Sequence, residues 1–294
     1  MKTSTTTAYR RVNVDGVEIF YREAGSRDAP TLLLLHGFPS SSYHYRRLIE
    51  LLADRFHVVA PDYPGFGYSD APRSRSEGGT FVYSFDSLAD WTARFCQTIG
   101  LARFVLYMFD YGGPVGMRIA EHHPEWISGL IVQNANAYAE GLSPIAADFI
   151  TLPEGGTGAQ DKALGVLTEE VTRSQYVTGA TQPERISPDT WTVDQHFLEL
   201  PGRKRIQLDL MFDYHSNVAR YDAWQAWLRK HQPPALIVWG RNDPFFTEAG
   251  ARAYLQDLPH AQLHLFDTGH FALEEEAVSI ARLIVDFAGR GISP

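Results

Sequence analysis

Phe104-Val-Leu-Tyr-Met-Phe-Asp110-Tyr-Gly-Gly-Pro-Val-Gly116 decides how this chain is organised. A run of apolar residues stops at a single acid. Two glycines follow at once, and a helix-like segment runs from Val115 to His122. The pattern predicts a strand, a sharp turn and a helix, with a carboxylate at the apex. A carboxylate so placed can attack an electrophilic carbon and form an ester, which divides one hard substitution into two easier steps. The blander reading is that Asp110 caps the helix, since Asp is a good N-cap residue.

Working outward, the same alternation recurs. Val12 to Glu23 alternates around Asp15-Gly16 and predicts an antiparallel hairpin. Thr31 to Leu35 and Phe56 to Ala60 are continuous apolar runs, suited to strands buried on both faces. Ser87 to Ile99 has helical spacing, and Leu130 to Gln133 reads as a strand. Late in the chain, Ala235 to Trp239 and Gln262 to Phe266 read as strands, and Leu273 to Ala288 as an amphipathic helix. Strands alternating with helices make this an α/β chain with a mostly parallel sheet. From about Ala137 to Arg220 the rhythm breaks into short helical patterns and prolines. The expected organisation is a core over 1–136 and 221–294 with an inserted helical cap over 137–220. Ligands in open α/β sheets bind at the edge such a cap would cover. Arg73 to Gly79 and Glu154 to Gly158 read as mobile loops, and Arg203-Lys-Arg205 as a solvated face.

The 294 residues suffice for a large core, and the 44% hydrophobic and 21% charged fractions are those of a globular protein. A formal charge of −9 argues against nucleic acid or an anionic membrane as partner. No apolar run approaches the ~18 residues a membrane span needs. The single Cys96 cannot form an internal disulfide and reads as a core residue. Met1 to Ala8 lacks the apolar stretch of a secretory signal, so a cytoplasmic protein is expected. The adjacent His122 and His123 cannot share one helix face, and neither a metal site nor a cofactor is expected.

Four motifs each follow a predicted strand: His36-Gly-Phe-Pro39, Asp62-Tyr-Pro-Gly-Phe-Gly-Tyr-Ser69, the Asp110 turn, and the pair Gly240-Arg-Asn-Asp243 and Thr268-Gly-His270-Phe. Together they resemble the α/β-hydrolase family, in its epoxide hydrolase and haloalkane dehalogenase branch. No Gly-x-Ser-x-Gly occurs, which counts against a serine esterase or lipase. The resemblance implies that Asp110 attacks carbon, that His270 activates water, and that Asp243 holds the His270 ring in the right tautomer and stabilises its positive form. It implies an oxyanion hole from the backbone N–H groups of Phe38 and Tyr111, and a cis Phe38-Pro39 bond. Asp62 and His36 are expected to order their loops. The other place for an acid, after the strand ending near Gln133, holds Asn134 and Asn136. One departure is Met108, two before Asp110, where relatives carry a small residue.

An epoxide opens only if its departing oxygen receives a proton or hydrogen bond, a task relatives give to cap tyrosines. Tyr214 is the candidate here; Tyr176 is the second, with Tyr138 another possibility. Haloalkane dehalogenases carry Trp after the nucleophile and often Asn in the His-Gly-x position; Tyr111 and Phe38 stand there, although Trp191 offers an indole N–H. A haloacid dehalogenase would need arginines where Tyr111 and Pro114 stand. The preferred expectation is epoxide hydrolysis to a vicinal diol, then haloalkane dehalogenation, with an inactive binding protein of this fold as the alternative of another class. The substrate is expected to be small and hydrophobic, in a lining to which Phe149, Trp191, Phe197, Leu198 and Met211 contribute.

Overall fold

The hairpin around Asp15-Gly16 forms one edge of the sheet. In the computed structural model, which describes residues 6–151 and 158–289, β1 (Ala8–Val14) pairs antiparallel with β2 (Val17–Ala24). Asp15 and Gly16 turn with φ of 47° and 90°, the pair of positive values that a two-residue hairpin of matching twist requires. Beyond β2 come β3 (Thr31–Leu35), β4 (His57–Pro61), β5 (Phe104–Phe109), β6 (Ile127–Gln133), β7 (Ala235–Gly240) and β8 (Gln262–Phe266). They form one eight-stranded sheet in the order β1-β2-β4-β3-β5-β6-β7-β8, parallel from β4 to β8.

Strand β5 lies mid-sheet and shows why the sheet is covered twice. Phe104, Leu106 and Met108 enter one apolar cluster, and Val105, Tyr107 and Phe109 the other. That is the two-residue period of a strand with a core on each face. The first cluster takes α2 (Phe85–Thr98), α3 (Gly112–His122), α10 (Tyr221–His231) and α11 (Glu248–Asp257). The second takes α1 (Arg46–Leu52) and α12 (Leu273–Ala288). Cys96 lies buried in the first.

Between β6 and α10 the described residues form α4 (Pro144–Ile150), α5 (Ala159–Gly165), α6 (Glu169–Val177), α7 (Asp189–Leu198), α8 (Arg203–Asp213) and α9 (His215–Val218). Glu154 to Thr157, read above as part of a mobile loop, lie outside the described residues. The Arg73 to Gly79 stretch is better ordered than expected. Arg75–Glu77 is a turn of 3₁₀ helix, and the Ser74 and Ser76 hydroxyls donate to Asp209 on α8. The solvated reading of Arg203 is also corrected. Arg203 is buried and donates to the Ser69 carbonyl at 2.8 Å, a bare acceptor in the loop after β4. Only Lys204 and Arg205 pair with surface acids, Glu199 and Asp209. Among the described residues no helix is long and apolar enough to cross a membrane.

Candidate active site

The apex residue Asp110 ends β5 with φ of 49°, a left-handed value that costs a non-glycine residue energy. Small neighbours make that turn possible. A Cβ on Gly112 would lie 2.1 Å from the Leu35 carbonyl oxygen, and one on Gly37 would lie 2.3 Å from the Asp110 carboxylate. Met108 fits because Gly116 faces it from α3; a Cβ on Gly116 would lie 2.7 Å from the Met108 Sδ. The bulk that relatives avoid before the turn is taken up one helical turn after it.

The Phe38-Pro39 peptide is cis, and the Phe38 N–H donates to Asp110 Oδ1 at 2.7 Å. Burial raises the Asp110 pKa, opposed by the positive field of His270 and by the backbone N–H groups of Phe38 and Tyr111. Oδ1 is thus held by the Phe38 N–H. The other, Oδ2, faces His270 Nε2 at 3.8 Å.

His270 follows β8, and its Nδ1 bonds Asp243 Oδ2 at 2.6 Å. With Nδ1 donating, the neutral ring leaves Nε2 unprotonated on the side that faces Asp110. Burial works to lower the His270 pKa. The charge and hydrogen bond of Asp243, with the charge of Asp110, outweigh it and raise the pKa above its ordinary value. Asp243 itself is fully paired. Its Oδ1 accepts from the N–H groups of Phe245 at 2.8 Å and Phe246 at 3.1 Å, and its Oδ2 also accepts from Asn134 Nδ2 at 2.8 Å.

Asn134 was passed over in the sequence because it is not an acid. It sits at the end of β6 with φ of 42°, and its amide also clamps Gly240 through both the N–H and the carbonyl. It ties the Asp243 loop to the sheet edge. Its position after a parallel strand was the available signal. His36 and Asp62 order loops, as read above. His36 Nε2 accepts from the Tyr63 N–H, and the Asp62 carboxylate accepts from the N–H groups of Ser42 and Tyr68.

A cavity of about 120 Å³ opens onto Asp110 and His270. Phe38, Phe149, Ile150, Val166, Met211 and Phe246 supply much of its apolar wall. Tyr214, at the end of α8, also lines it. The Tyr214 ring packs edge-on to Phe85 at 5.6 Å and lies 6.0 Å from the Tyr111 ring. The preceding Asp213 accepts from the Phe85 N–H at 2.8 Å, which pins this turn to α2. Burial raises the Tyr214 pKa well above the ordinary phenol value, so the hydroxyl keeps its proton.

Tyr176 does not reach the cavity. It stacks on Phe271 at 3.8 Å, and its hydroxyl donates to the buried Asp194. Trp191 packs beside it under Arg173, Phe197 packs against Tyr68, and Leu198 lies in the core. Tyr138 is likewise engaged, donating to Asp257 at 2.7 Å. The α6 residues that line the cavity are Val171 and Gln175, the latter one position before Tyr176. Helical spacing explains the difference: Val171 and Gln175 share one face, Thr172 and Tyr176 the next. No signal in the sequence set these two faces apart.

A parallel α/β sheet with an acid at the strand–helix elbow, backed by a paired His and a second acid at later strand ends, defines a hydrolase scaffold. The chain belongs to the family described as the alpha/beta hydrolase fold, whose model matches residues 30–277. It is 41% identical over 278 residues to an uncharacterized hydrolase of Saccharomyces cerevisiae, covering 92% of this chain and 93% of that one. It is 28% identical to a haloalkane dehalogenase of Psychrobacter cryohalolentis, covering 92% of this chain and 87% of the other. That likeness supports the branch named above. Among solved structures, wild-type Cfl2 of Burkholderia cenocepacia matches with a TM-score of 0.78 and 27% identity, over 95% of each chain.

Proposed function

We propose that this hydrolase opens an epoxide to a vicinal diol through a covalent ester on Asp110. The observation that carries the reading is the pairing of a carboxylate, held by one oxygen at a backbone N–H, with a protonated phenol in the same apolar cavity. In the first step Asp110 Oδ2 attacks a ring carbon, the C–O bond breaks, and Tyr214 passes its proton to the departing oxygen. In the second, His270 Nε2 takes a proton from water while the water oxygen attacks the ester carbonyl carbon. Charge then builds on the oxygen held by the Phe38 and Tyr111 N–H groups. Collapse breaks the acyl C–O bond, and the departing alkoxide takes the proton from His270. The acid proton left on Asp110 returns to the Tyr214 phenolate, so diol is released and carboxylate, phenol and neutral imidazole are restored, with Asp243 steadying the imidazolium in between. The α-helices within 137–220 would act as the cap, and an apolar lining suits a small hydrophobic substrate. Neither metal nor cofactor enters these steps.

The second reading is hydrolytic dehalogenation, favoured by the haloalkane dehalogenase among the relatives. A halide leaves without a proton, so a phenol gives less there. This separates the two. Tyr214→Phe should slow ester formation from an aryl epoxide by about 100-fold or more, the lower range of general acid catalysis. The same variant should leave ester formation from a primary alkyl bromide nearly unchanged. Equal, small effects on both would remove Tyr214 from the chemistry. The binding-protein alternative ends with any turnover that Asp110→Asn abolishes.

A further inference from the structure

Gln175 presents a primary amide to the cavity, and no hydrogen bond within the described residues reaches that amide. The residue is 5% exposed and lies on α6 between Val171, one turn earlier on the same face, and the aromatic packing of Tyr176 on Phe271. Other buried polar side chains on this face of the molecule are engaged. Thr172 donates to Gln195 at 2.9 Å, Gln195 donates to Glu199 at 2.7 Å, and Tyr176 donates to Asp194. Asp194 Oδ1 and Gln207 Oε1 also lack a partner, but of these three residues Gln175 alone lines the cavity. An amide offers two donors and an acceptor, and leaving them unmet in an apolar wall is costly. A leucine there would pack as well and carry no such cost. The cavity is small, so a molecule attacked at Asp110 fills the same space that Gln175 lines.

We propose that Gln175 is a specificity-determining residue that binds an oxygen-bearing substituent of the substrate. The preferred substrate is then an epoxide with a hydroxyl or carbonyl group near the ring, not a plain hydrocarbon epoxide. The epoxide part rests on the function proposed above; the polar contact does not. Sites built to hydrogen-bond a substrate group discriminate strongly against analogues that lack it, because the site's own polar atoms are then stranded. The amide has no readily lost proton, so it orients the substrate and leaves proton delivery to Tyr214.

The test compares trans-2,3-epoxyhexan-1-ol with trans-2,3-epoxyhexane on the wild type and on Gln175→Leu. The wild type should favour the epoxy alcohol in kcat/KM by ~10-fold or more. In Gln175→Leu that preference should collapse, the ratio of the two kcat/KM values falling to near 1 through a larger loss on the alcohol than on the hydrocarbon epoxide. A second arm needs no reaction. Pentanamide, whose amide can pair both halves of the Gln175 side chain, should bind the wild type at least ~10-fold more tightly than Gln175→Leu by calorimetry. Equal rates on the two epoxides in the wild type, a parallel loss on both in the variant, or equal pentanamide binding would overturn the proposal. If neither epoxide reacts but pentanamide binding still requires Gln175, the epoxide reading falls and the polar subsite stands.

Discussion

The proposed first step needs Asp110 ionised to attack carbon, yet it is held where burial favours its neutral form. The proposed second step needs His270 neutral to accept a proton from water, yet against the opposing pull of burial Asp243 and, until it is esterified, Asp110 raise its pKa above 6.5. Both shifts push activity the same way: each step is lost as pH falls, Asp110 through a value above 3.8 and His270 through one above 6.5. Ester should accumulate in the wild type wherever acidification protonates His270 while Asp110 is still ionised. Rapid quench and mass spectrometry across a pH series should find more adduct on the acid side of the hydrolysis limb than at about pH 8. Equal, negligible adduct at both would contradict the assignment of base and nucleophile. Asn134 tunes the same pair by taking part of the charge on Asp243 Oδ2. Asn134→Ala should therefore move the acid limb of ester hydrolysis to higher pH, since His270 then has that oxygen to itself. It should also cost about 1–3 kcal/mol of stability, because the Gly240 backbone groups lose their partner. A pH–rate profile and a denaturant titration read these two effects. An unmoved limb would reduce Asn134 to a structural clamp.

Elements decide which of these residues meet, and here sequence and structure part company in an instructive way. The strand–turn–helix around Asp110 was legible because its signals are local: an apolar run, an acid, two glycines. The rest of the parallel sheet was legible for the same reason. What faces a cavity from α6 was not, because a shift of one residue turns a side chain by about a quarter of the helix circumference. Tyr176 was therefore expected as the second cap tyrosine, and Gln175 beside it was not considered. Arg203 was misread because a buried carbonyl acceptor, on Ser69, lies far away in the chain. The elbow offers a test of fit between elements. Met108 and Gly116 share one space, with a Cβ on Gly116 also 3.0 Å from Leu106 Cδ2. Gly116→Ala should overpack this contact at a cost of about 1–3 kcal/mol. In a double-mutant cycle, Met108→Ala should relieve part of that loss. Strict additivity of the two changes would show that they do not compete for the space.

The whole molecule adds buried imidazoles that take no part in the proposed steps. Burial holds His36 neutral, with its pKa lowered to about 4 despite the opposing charge of Asp62, and burial also lowers the His44 pKa well below its ordinary value. A histidine depressed in the folded state contributes no penalty above its unfolded value of 6.5. The penalty grows as pH falls from there toward the folded value. For His36 this window runs from 6.5 down to about 4 and is worth on the order of 3 kcal/mol. Stability should fall over that range, and His36→Asn should flatten part of the slope in thermal melts. An unchanged slope would mean that other groups carry the acid sensitivity.

Fold and family follow from the sheet, but the chemistry rests on one claim: that Asp110 becomes covalently bonded to substrate carbon. The most direct test is the intact mass of His270→Ala incubated separately with an aryl epoxide and a primary alkyl bromide. Without its base the enzyme should stall at the ester. A gain equal to the whole epoxide, mapped to the peptide that contains Asp110, is the predicted result. A gain of the alkyl group from the bromide alone would keep the nucleophile and transfer the activity to dehalogenation. No adduct from either compound, or an adduct on another residue, would contradict the account.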